Sequence, residues 1–218
     1  VGYILENSGA RLLVCSPHLP AIAQLELSPG VQLISLDDWR DACAKQPADP
    51  ILDEAPGFHM VYSSGPTGRP KGIRLPLPTG EVTDPHLLAQ RARDNYGFGP
   101  ETVYLSPAPL YHTAPLAFST SCHRIGTTVV QMPKFDPEAA LAAIQDFGVT
   151  ITQMVPTMFV RLLRLPEEVR RSYDLSSLKT VIHAAAPCPI EIKRQMIDWL
   201  GPIIFEYYGG SEGAGSTM

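Results

Sequence analysis

Several features are scarce or missing in this 218-residue sequence, and each absence narrows the range of functions. No apolar run approaches the length of a membrane span, and the first residues lack the pattern of a signal peptide. There is no cluster of basic residues and the net charge is −5, so we expect no nucleic-acid partner. The four cysteines form no Cys-x-x-Cys pair, which argues against a disulfide framework or a zinc site and favours a reducing, cytoplasmic location.

The apolar pattern from residue 102 onward predicts an α/β protein. Short continuous apolar runs are typical of strands covered on both faces, and their alternation with helical segments favours a largely parallel sheet with flanking helices. In the helix predicted at 137–147, Asp136 supplies an N-cap, Pro137 fits the first turn and Gly148 closes the end. The predicted strands are 102–105, 127–131, 149–155, 180–184 and 203–207, and the predicted helices are 116–125, 137–147, 157–165 and 189–200.

The first hundred residues also combine helices and strands. We expect helices at 1–10, closed by Gly9, and at 19–27, 37–45 and 86–96. We expect strands at 12–15 and 31–36, and a buried strand at 58–62. Residues 72–75 resume an extended run, which predicts a hairpin with the intervening loop at its tip.

That loop concentrates groups that bind a polyphosphate. Glycines permit a tight turn whose exposed backbone N–H groups form an anion site, while hydroxyls and a lysine add donors and positive charge. The spacing is not that of a Walker A loop, and an ordinary turn between two strands often has a similar composition. The candidate phosphate-binding residues are Ser63, Ser64, Gly65, Thr67, Gly68 and Lys71.

Three further segments follow predicted strands, where ligands bind in open α/β sheets. His112 is placed to hydrogen-bond a carboxylate, or alternatively to be a partly buried cap of the next helix. The small residues of 183–189 let a flat ring lie against the backbone, or serve only a tight turn. Glu212, a lone carboxylate among glycines and beside a hydroxyl, suits Mg²⁺, although an exposed acidic turn has the same composition.

These four segments, in this order, resemble the motifs of the adenylate-forming superfamily, which includes acyl-CoA synthetases, luciferases and peptide-synthetase adenylation domains. Residues 62–72 are similar to Tyr-(Thr/Ser)-Ser-Gly-Thr-Thr-Gly-x-Pro-Lys-Gly, except that Pro66 replaces a Thr or Ser. Residues 109–112 resemble Pro-(Leu/Met)-(Phe/Tyr)-His, residues 184–187 resemble Gly-(Ala/Gly)-(Ala/Glu)-Pro, and residues 208–212 resemble Tyr-Gly-x-(Thr/Ser)-Glu.

The resemblance implies a role for each matching residue. Tyr208 would stack on adenine, Ser211 would contact the α-phosphate, and Glu212 would hold Mg²⁺. The implied ATP-binding residues are Ser63, Ser64, Gly65, Thr67, Gly68, Lys71, Ala184, Ala185, Ala186, Pro187, Tyr208, Gly209 and Ser211. The implied Mg²⁺ ligands are Glu212 and Ser63, the implied catalytic residues are Glu212, His112 and Lys71, and the implied acyl pocket is bordered by Tyr111 and His112.

The function implied by the resemblance is ATP-dependent activation of a carboxylic acid to an acyl-adenylate, followed by transfer to coenzyme A. The similarity is closest to bacterial fatty-acyl-CoA ligases, so we expect a hydrophobic acid, ATP, Mg²⁺ and coenzyme A as ligands. One alternative is adenylation of an amino or aryl acid. Another is a non-catalytic nucleotide-binding module, because Pro66 removes a hydroxyl and a backbone donor from the loop.

The resemblance extends over residues 1–218 and corresponds to the central part of the family's large N-terminal, AMP-binding domain. The ribose-binding aspartate, the hinge and the C-terminal domain with its catalytic lysine have no counterpart in it. Since the first residue is Val1, we expect a fragment of a longer protein that is inactive alone. We also expect apolar surface at its edges to promote self-association.

Overall fold

A computed structural model describes residues 1–16, 18–63, 68–84, 86–210 and 216–217. The chain divides into two compact units, Val1–Thr83 and Asp84–Met218. None of the helices in these residues has the length and apolar character needed to cross a membrane.

The first unit combines a parallel strand pair with a hairpin. Strand β1 (Leu12–Cys15) runs parallel to β2 (Gln32–Ser35), and β3 (Val61–Ser63) runs antiparallel to β4 (Lys71–Ile73). The predicted hairpin and the helix ending at Gly9 are confirmed, and Gly9 has the left-handed backbone that favours glycine, with φ 69°. The described helices of this unit are α1 (Gly2–Ser8), α2 (Pro20–Ala23) and α3 (Leu36–Ala44).

Two elements of this unit are much shorter than predicted. The helix expected at 19–27 is only the short α2, because its flanking hydrogen bonds, from Ile22 N to Leu19 O and from Leu25 N to Ile22 O, are isolated turns that do not propagate. The strand expected at 58–62 begins only at Val61. Continuing its register would set Phe58 opposite Pro76, which has no N–H to donate to the ladder.

The second unit is built on a five-stranded sheet in which all neighbouring strands are parallel, in the order β6-β5-β7-β8-β9. The predicted α/β fold with a largely parallel sheet is therefore confirmed. The strands are β5 (Val103–Ser106), β6 (Thr128–Gln131), β7 (Ile151–Met154), β8 (Thr180–His183) and β9 (Ile204–Glu206), and β10 (Tyr208–Gly209) pairs antiparallel with β11 (Ser216–Thr217). The described helices are α4 (Leu87–Tyr96), α5 (Thr113–Ile125), α6 (Pro137–Phe147), α7 (Pro156–Leu163), α8 (Glu167–Arg171) and α9 (Ile190–Leu200).

Helices cover both faces of this sheet. Every residue of β7 and β8 is buried. On one face Val181 packs in a cluster with Phe159 of α7 and Met196 of α9. On the other face Ile182 packs in a cluster with Ala92 of α4. The alternation of β-strand side chains thus divides the core into two layers, as the apolar runs predicted.

Two helices of this unit depart most from the prediction. Helix α5 begins at Thr113 rather than at 116, because Pro115 lies in the first turn, where the missing N–H would have no intrahelical partner. Helix α8 was not predicted, although acidic residues in its first turn and basic residues in its last turn complement the helix dipole. By contrast, α6 has the predicted bounds, and Asp136 Oδ1 accepts a hydrogen bond from Ala139 N at 3.0 Å.

Candidate functional site

The predicted phosphate loop connects β3 to β4. In the register of this hairpin, Ser63 lies directly opposite Lys71, so the hydroxyl and the ammonium group flank the two ends of the loop. Gly68 has φ 82°, a conformation that favours glycine. The predicted ligands Ser64, Gly65 and Thr67, together with Pro66, lie outside the described residues. The described geometry of this loop is therefore limited to its two ends.

Helix α1 contacts this hairpin, and the sequence analysis did not predict that contact. The Tyr62 hydroxyl donates a hydrogen bond to Asn7 Oδ1 at 2.8 Å, and the Tyr3 hydroxyl donates to Pro70 O at 3.1 Å. The Tyr62 ring also lies against Gly72, where an added Cβ would be only 3.0 Å from Tyr62 Cζ. The strand preceding the loop and Pro70 at the end of the loop are therefore both hydrogen-bonded to residues of one helix.

Tyr111 and His112 lie between β5 and α5. Both side chains are exposed, Tyr111 by 75%, and their ring centroids are 4.5 Å apart. His112 occupies the N-cap position of α5, but its side chain makes no capping hydrogen bond. The alternative of a partly buried, helix-capping histidine is therefore wrong, and the imidazole is open to solvent.

The small-residue segment follows β8 directly. Ala184 is buried, whereas Ala185, Ala186 and Pro187 are exposed. Ala185 has φ 75°, a left-handed conformation that costs a residue with a Cβ atom free energy. The backbone therefore turns sharply at the end of the strand and presents little side-chain bulk there.

The last predicted segment follows β9. Tyr208 and Gly209 form β10, where they lie opposite Thr217 and Ser216, and the Tyr208 side chain is 82% exposed. The preceding Tyr207 is instead partly buried, and burial raises the pKa of its phenol to about 12. Ser211 and Glu212 lie outside the described residues, so the proposed Mg²⁺ ligand has no described geometry. Among the described residues, no group of three His, Cys, Asp or Glu side chains is arranged to hold a metal ion.

The parallel sheet brings three of the predicted segments to one edge. Because β5, β8 and β9 are parallel, their carboxyl ends share an edge, where Tyr111, Ala185 and Tyr208 follow them. The strands β8 and β9 are neighbours, whereas β7 separates β5 from β8. This edge is the usual ligand position in open α/β sheets. The hairpin with Lys71 belongs to the first unit.

A polar cluster that the sequence analysis did not predict lies next to this edge. The His183 side chain is fully buried, and its Nε2 lies 3.8 Å from Glu206 Oε2, which accepts a 2.6 Å hydrogen bond from Lys193 Nζ. Burial lowers the pKa of His183, with the charge of Lys193 acting in the same direction and that of Glu206 opposing both. The hydrogen bond from Lys193 lowers the pKa of Glu206. The signal in the sequence was a histidine at the end of a buried strand.

A parallel sheet with helices on both faces defines an open α/β protein, a class in which ligands bind at the carboxyl ends of the strands. The chain belongs to the AMP-binding enzyme family, because the family model described as "AMP-binding enzyme" matches residues 1–218. Membership of the adenylate-forming superfamily, predicted from the motifs, is thereby confirmed.

Individual relatives are acid–CoA ligases. The chain is 29% identical to the medium/long-chain-fatty-acid--CoA ligase FadD8 of Mycobacterium tuberculosis, over 96% of this chain and 39% of the relative. It is 31% identical to a feruloyl-CoA synthase of Amycolatopsis sp, over 99% of this chain and 42% of the relative. Its fold superimposes on ATP-bound MatB from Rhodopseudomonas palustris with a TM-score of 0.78 and 25% identity, over 99% of this chain and 44% of that chain. The chain thus spans about two fifths of the length of the relatives it matches.

Proposed function

We propose that the full-length protein activates a hydrophobic carboxylic acid, a fatty acid or a similar compound, and joins it to coenzyme A. The observation that carries this proposal is the arrangement of three motif segments at the carboxyl edge of one parallel sheet, in a chain of the AMP-binding enzyme family. The relatives include CoA ligases for fatty and for aryl acids.

In the first proposed step a carboxylate oxygen attacks the α-phosphorus of ATP, and the bond to pyrophosphate breaks. In the second step a thiolate attacks the acyl carbon and AMP leaves. The first step brings two anions together, so catalysis depends on positioning and on neutralising charge. None of the proposed residues has to become covalently attached to the substrate.

The proposed roles follow the motifs. Ser63, Lys71 and the loop residues Ser64, Gly65, Thr67 and Gly68 hold the phosphates. Ala184–Pro187 and Tyr208–Gly209 enclose adenine, and Ser211 contacts the α-phosphate. Glu212 and Ser63 would hold Mg²⁺, which prefers oxygen ligands and would supply positive charge to offset that of the phosphates. Tyr111 and His112 border the carboxylate of the acid.

A hydrophobic acid is favoured by the surroundings of α5. The Phe118 ring lies in an aromatic cluster, with its centroid 5.9 Å from that of Phe98 and 6.1 Å from that of Tyr104. No acidic side chain occurs between Tyr111 and Phe118, where the amino group of an amino-acid substrate would need one. We therefore place fatty and aryl acids ahead of amino acids.

The test is pyrophosphate release by the full-length protein with a panel of fatty, hydroxycinnamic and amino acids. We expect Glu212→Ala to lower kcat/KM by about 10²-fold, since one preorganised charge partner is lost. Lys71→Ala should raise KM for ATP, and Lys45→Ala, a change at the exposed end of α3, should alter neither constant. Preference for amino acids would overturn the substrate class.

A second candidate is a non-catalytic nucleotide-binding module, and Pro66 is the observation that favours it. Proline removes one hydroxyl and one backbone donor from a loop that otherwise matches the phosphate-binding motif. If the full-length protein binds ATP and an acid but releases no pyrophosphate with any acid of the panel, this second function stands. Restoring threonine at position 66 would then be expected to produce turnover.

We further propose that thioester formation requires more than residues 1–218. The chain spans only 39–42% of the length of its ligase relatives, so the catalytic groups of the second step are expected elsewhere in the full-length protein. The measurement is acyl-CoA formation by the 218-residue chain and by the full-length protein at equal concentration. Comparable rates would contradict this prediction.

A further inference from the structure

The imidazole of His183 is a buried polar group without a partner. Its exposed fraction is 0%, and neither Nδ1 nor Nε2 has a hydrogen-bond partner among the described residues. Buried polar atoms are nearly always hydrogen-bonded, because a donor or acceptor removed from water costs free energy unless it is paired. An apolar residue at this position would avoid that cost, so the histidine requires an explanation.

The surroundings of the ring are apolar on one side and charged on the other. The Phe159 ring of α7 meets it edge-on, with centroids 5.2 Å apart. Met154 of β7 is its cross-strand partner. The charged groups facing it are Glu206 of β9, with Oε2 at 3.8 Å from Nε2, and Lys193 of α9, which is hydrogen-bonded to that same oxygen. Among the described residues, the charged groups near the imidazole therefore all lie on its Glu206 side.

The position of this pair in the chain connects two ligand segments. His183 immediately precedes the turn at 184–187, and Glu206 immediately precedes Tyr207 and the exposed Tyr208. The two residues are direct partners in the β8–β9 register, and Tyr207 N donates a hydrogen bond to His183 O at 3.2 Å. The backbone pairing therefore holds the two segments side by side, and the His183 and Glu206 side chains lie at the start of both.

We propose that His183 is a positioning residue for the nucleotide, whose Nε2–H donates a hydrogen bond to the Glu206 carboxylate when the nucleotide is bound. This inference rests on the proposed function. The separation of 3.8 Å must shorten by about 1 Å to reach the usual length of a charge-assisted hydrogen bond. The Glu206 side chain is 42% exposed, and its shift toward Nε2 has to keep or replace the 2.6 Å hydrogen bond from Lys193, whereas the buried imidazole packs against Phe159. The imidazole remains neutral, and no proton is transferred.

The experiment uses the full-length protein and three substitutions of His183. In His183→Gln the amide nitrogen replaces the donor near the position of Nε2, in His183→Asn it lies near Nδ1, and His183→Leu has no donor. We expect Leu and Asn to weaken ATP·Mg²⁺ binding in calorimetry by about tenfold, and Gln to stay within about threefold of wild type, since a hydrogen bond to a charged group is lost only in the first two. The matched control is His123→Gln, at an exposed histidine in the last turn of α5, which should bind ATP as wild type does.

A purely structural role gives a different pattern. If the ring only fills space, the Gln, Asn and Leu proteins will lose thermal stability, and their ATP affinity will either stay at the wild-type value or fall equally in all three. Either result overturns the proposal. In kinetics, a positioning role raises KM for ATP in the Leu protein and leaves KM for the acid unchanged, and a rise in both constants would also contradict it.

A second measurement separates this inference from the proposed function. Nitrogen-15 imidazole spectra of the full-length protein report which ring nitrogen of His183 carries the proton, with and without AMP. We expect the proton on Nε2, a change on adding AMP, and no such change in Glu206→Gln. If wild type binds no nucleotide at all, the proposed function fails and this inference fails with it. If wild type binds AMP but the imidazole signals stay unchanged, only this inference fails. A proton on Nδ1, or signals insensitive to Glu206→Gln, overturns the His183–Glu206 interaction.

Discussion

Ala185 is the one residue other than glycine with a positive φ in the described part of the chain, at 75°. A left-handed residue with a Cβ is disfavoured by about 1–2 kcal/mol, and such strain is found where a turn beside a ligand requires it. We expect Ala185→Gly to raise the free energy of unfolding by about 0.5–1 kcal/mol, because relief of the strain exceeds the greater entropy of glycine in the unfolded chain. Urea denaturation measures the change.

The neighbouring Ala186 provides the control for this substitution. Its φ is not positive, so Ala186→Gly relieves no strain and only adds freedom to the unfolded chain. We expect it to lower the free energy of unfolding. Equal effects of the two substitutions would show that the backbone at Ala185 is not strained.

His183 predicts a pH dependence of stability. Burial lowers the pKa of its ring below the ordinary value of about 6.5, so the unfolded chain takes up a proton that the folded protein does not. Stability is therefore lost as the pH falls below about 6.5, and His183→Gln should flatten this slope below about pH 6.5. Urea midpoints measured at several pH values test this expectation.

Other groups with shifted pKa values do not account for the expected difference in pH dependence between wild type and His183→Gln. His59 also has a pKa lowered by burial, but it is present in both proteins and cancels in the comparison. The pKa of Glu206 is lowered by Lys193, so its contribution is lost only at more acid pH, below the ordinary range of a carboxyl group. Identical slopes for wild type and His183→Gln would mean that His183 titrates normally.

At the scale of elements, the β3–β4 hairpin depends on the close approach of the Tyr62 ring to Gly72. A Cβ at position 72 would lie 2.4 Å from Met60 Cε and 3.0 Å from Tyr62 Cζ. The methionine end is flexible, but the tyrosine is held by its hydrogen bond to Asn7 in α1. We expect Gly72→Ala to lower the free energy of unfolding by about 1–3 kcal/mol through overpacking. We also expect it to weaken the binding of ATP by the adjoining loop.

Gly57 is the matched control for that change. No atom lies within 4 Å of a Cβ built there, and its φ is not in the left-handed region. Gly57→Ala should leave the urea midpoint and ATP affinity close to wild type. If Gly72→Ala behaves in the same way, the Tyr62 ring moves freely, and α1 does not support the hairpin.

At the scale of the whole molecule, the two units differ in how much apolar surface they bury. In the described residues of Val1–Thr83 only Leu5 and Val61 are buried hydrophobic residues, whereas the second unit holds both core clusters. Elements with few buried contacts open at lower free energy than core strands. We therefore expect amide hydrogens of β1 and β2 to exchange faster than those of β7 and β8.

Hydrogen exchange detected by mass spectrometry measures this difference in both the 218-residue chain and the full-length protein. Equal protection of the two sheets in the 218-residue chain would contradict it.

The expected self-association remains a prediction, and exposed apolar side chains such as Leu12, Val14 and Leu33 in the β1–β2 sheet support it.

Local sequence patterns were sufficient to predict most helices and strands of the second unit. The bounds of α6 follow from Asp136, Pro137 and Gly148, because a cap, a first-turn proline and a left-handed glycine act within a few residues of the helix ends. Likewise, the strands β7 and β8 were expected to be covered on both faces, and every residue of both strands is buried. The starts of α2, α5 and β3 were less predictable, because packing and ladder partners decide how far a short element extends.

The sequence by itself determined the alternation of strands and helices, the motif segments and their order, and through these the family. Only the tertiary structure decided that β8 lies beside β9, that His183 is buried against Phe159 and faces Glu206, and that α1 supports the hairpin. The physical reason is distance along the chain. Caps, turns and apolar periodicity depend on residues a few positions apart, whereas strand order and the burial of a polar side chain depend on partners brought together by packing.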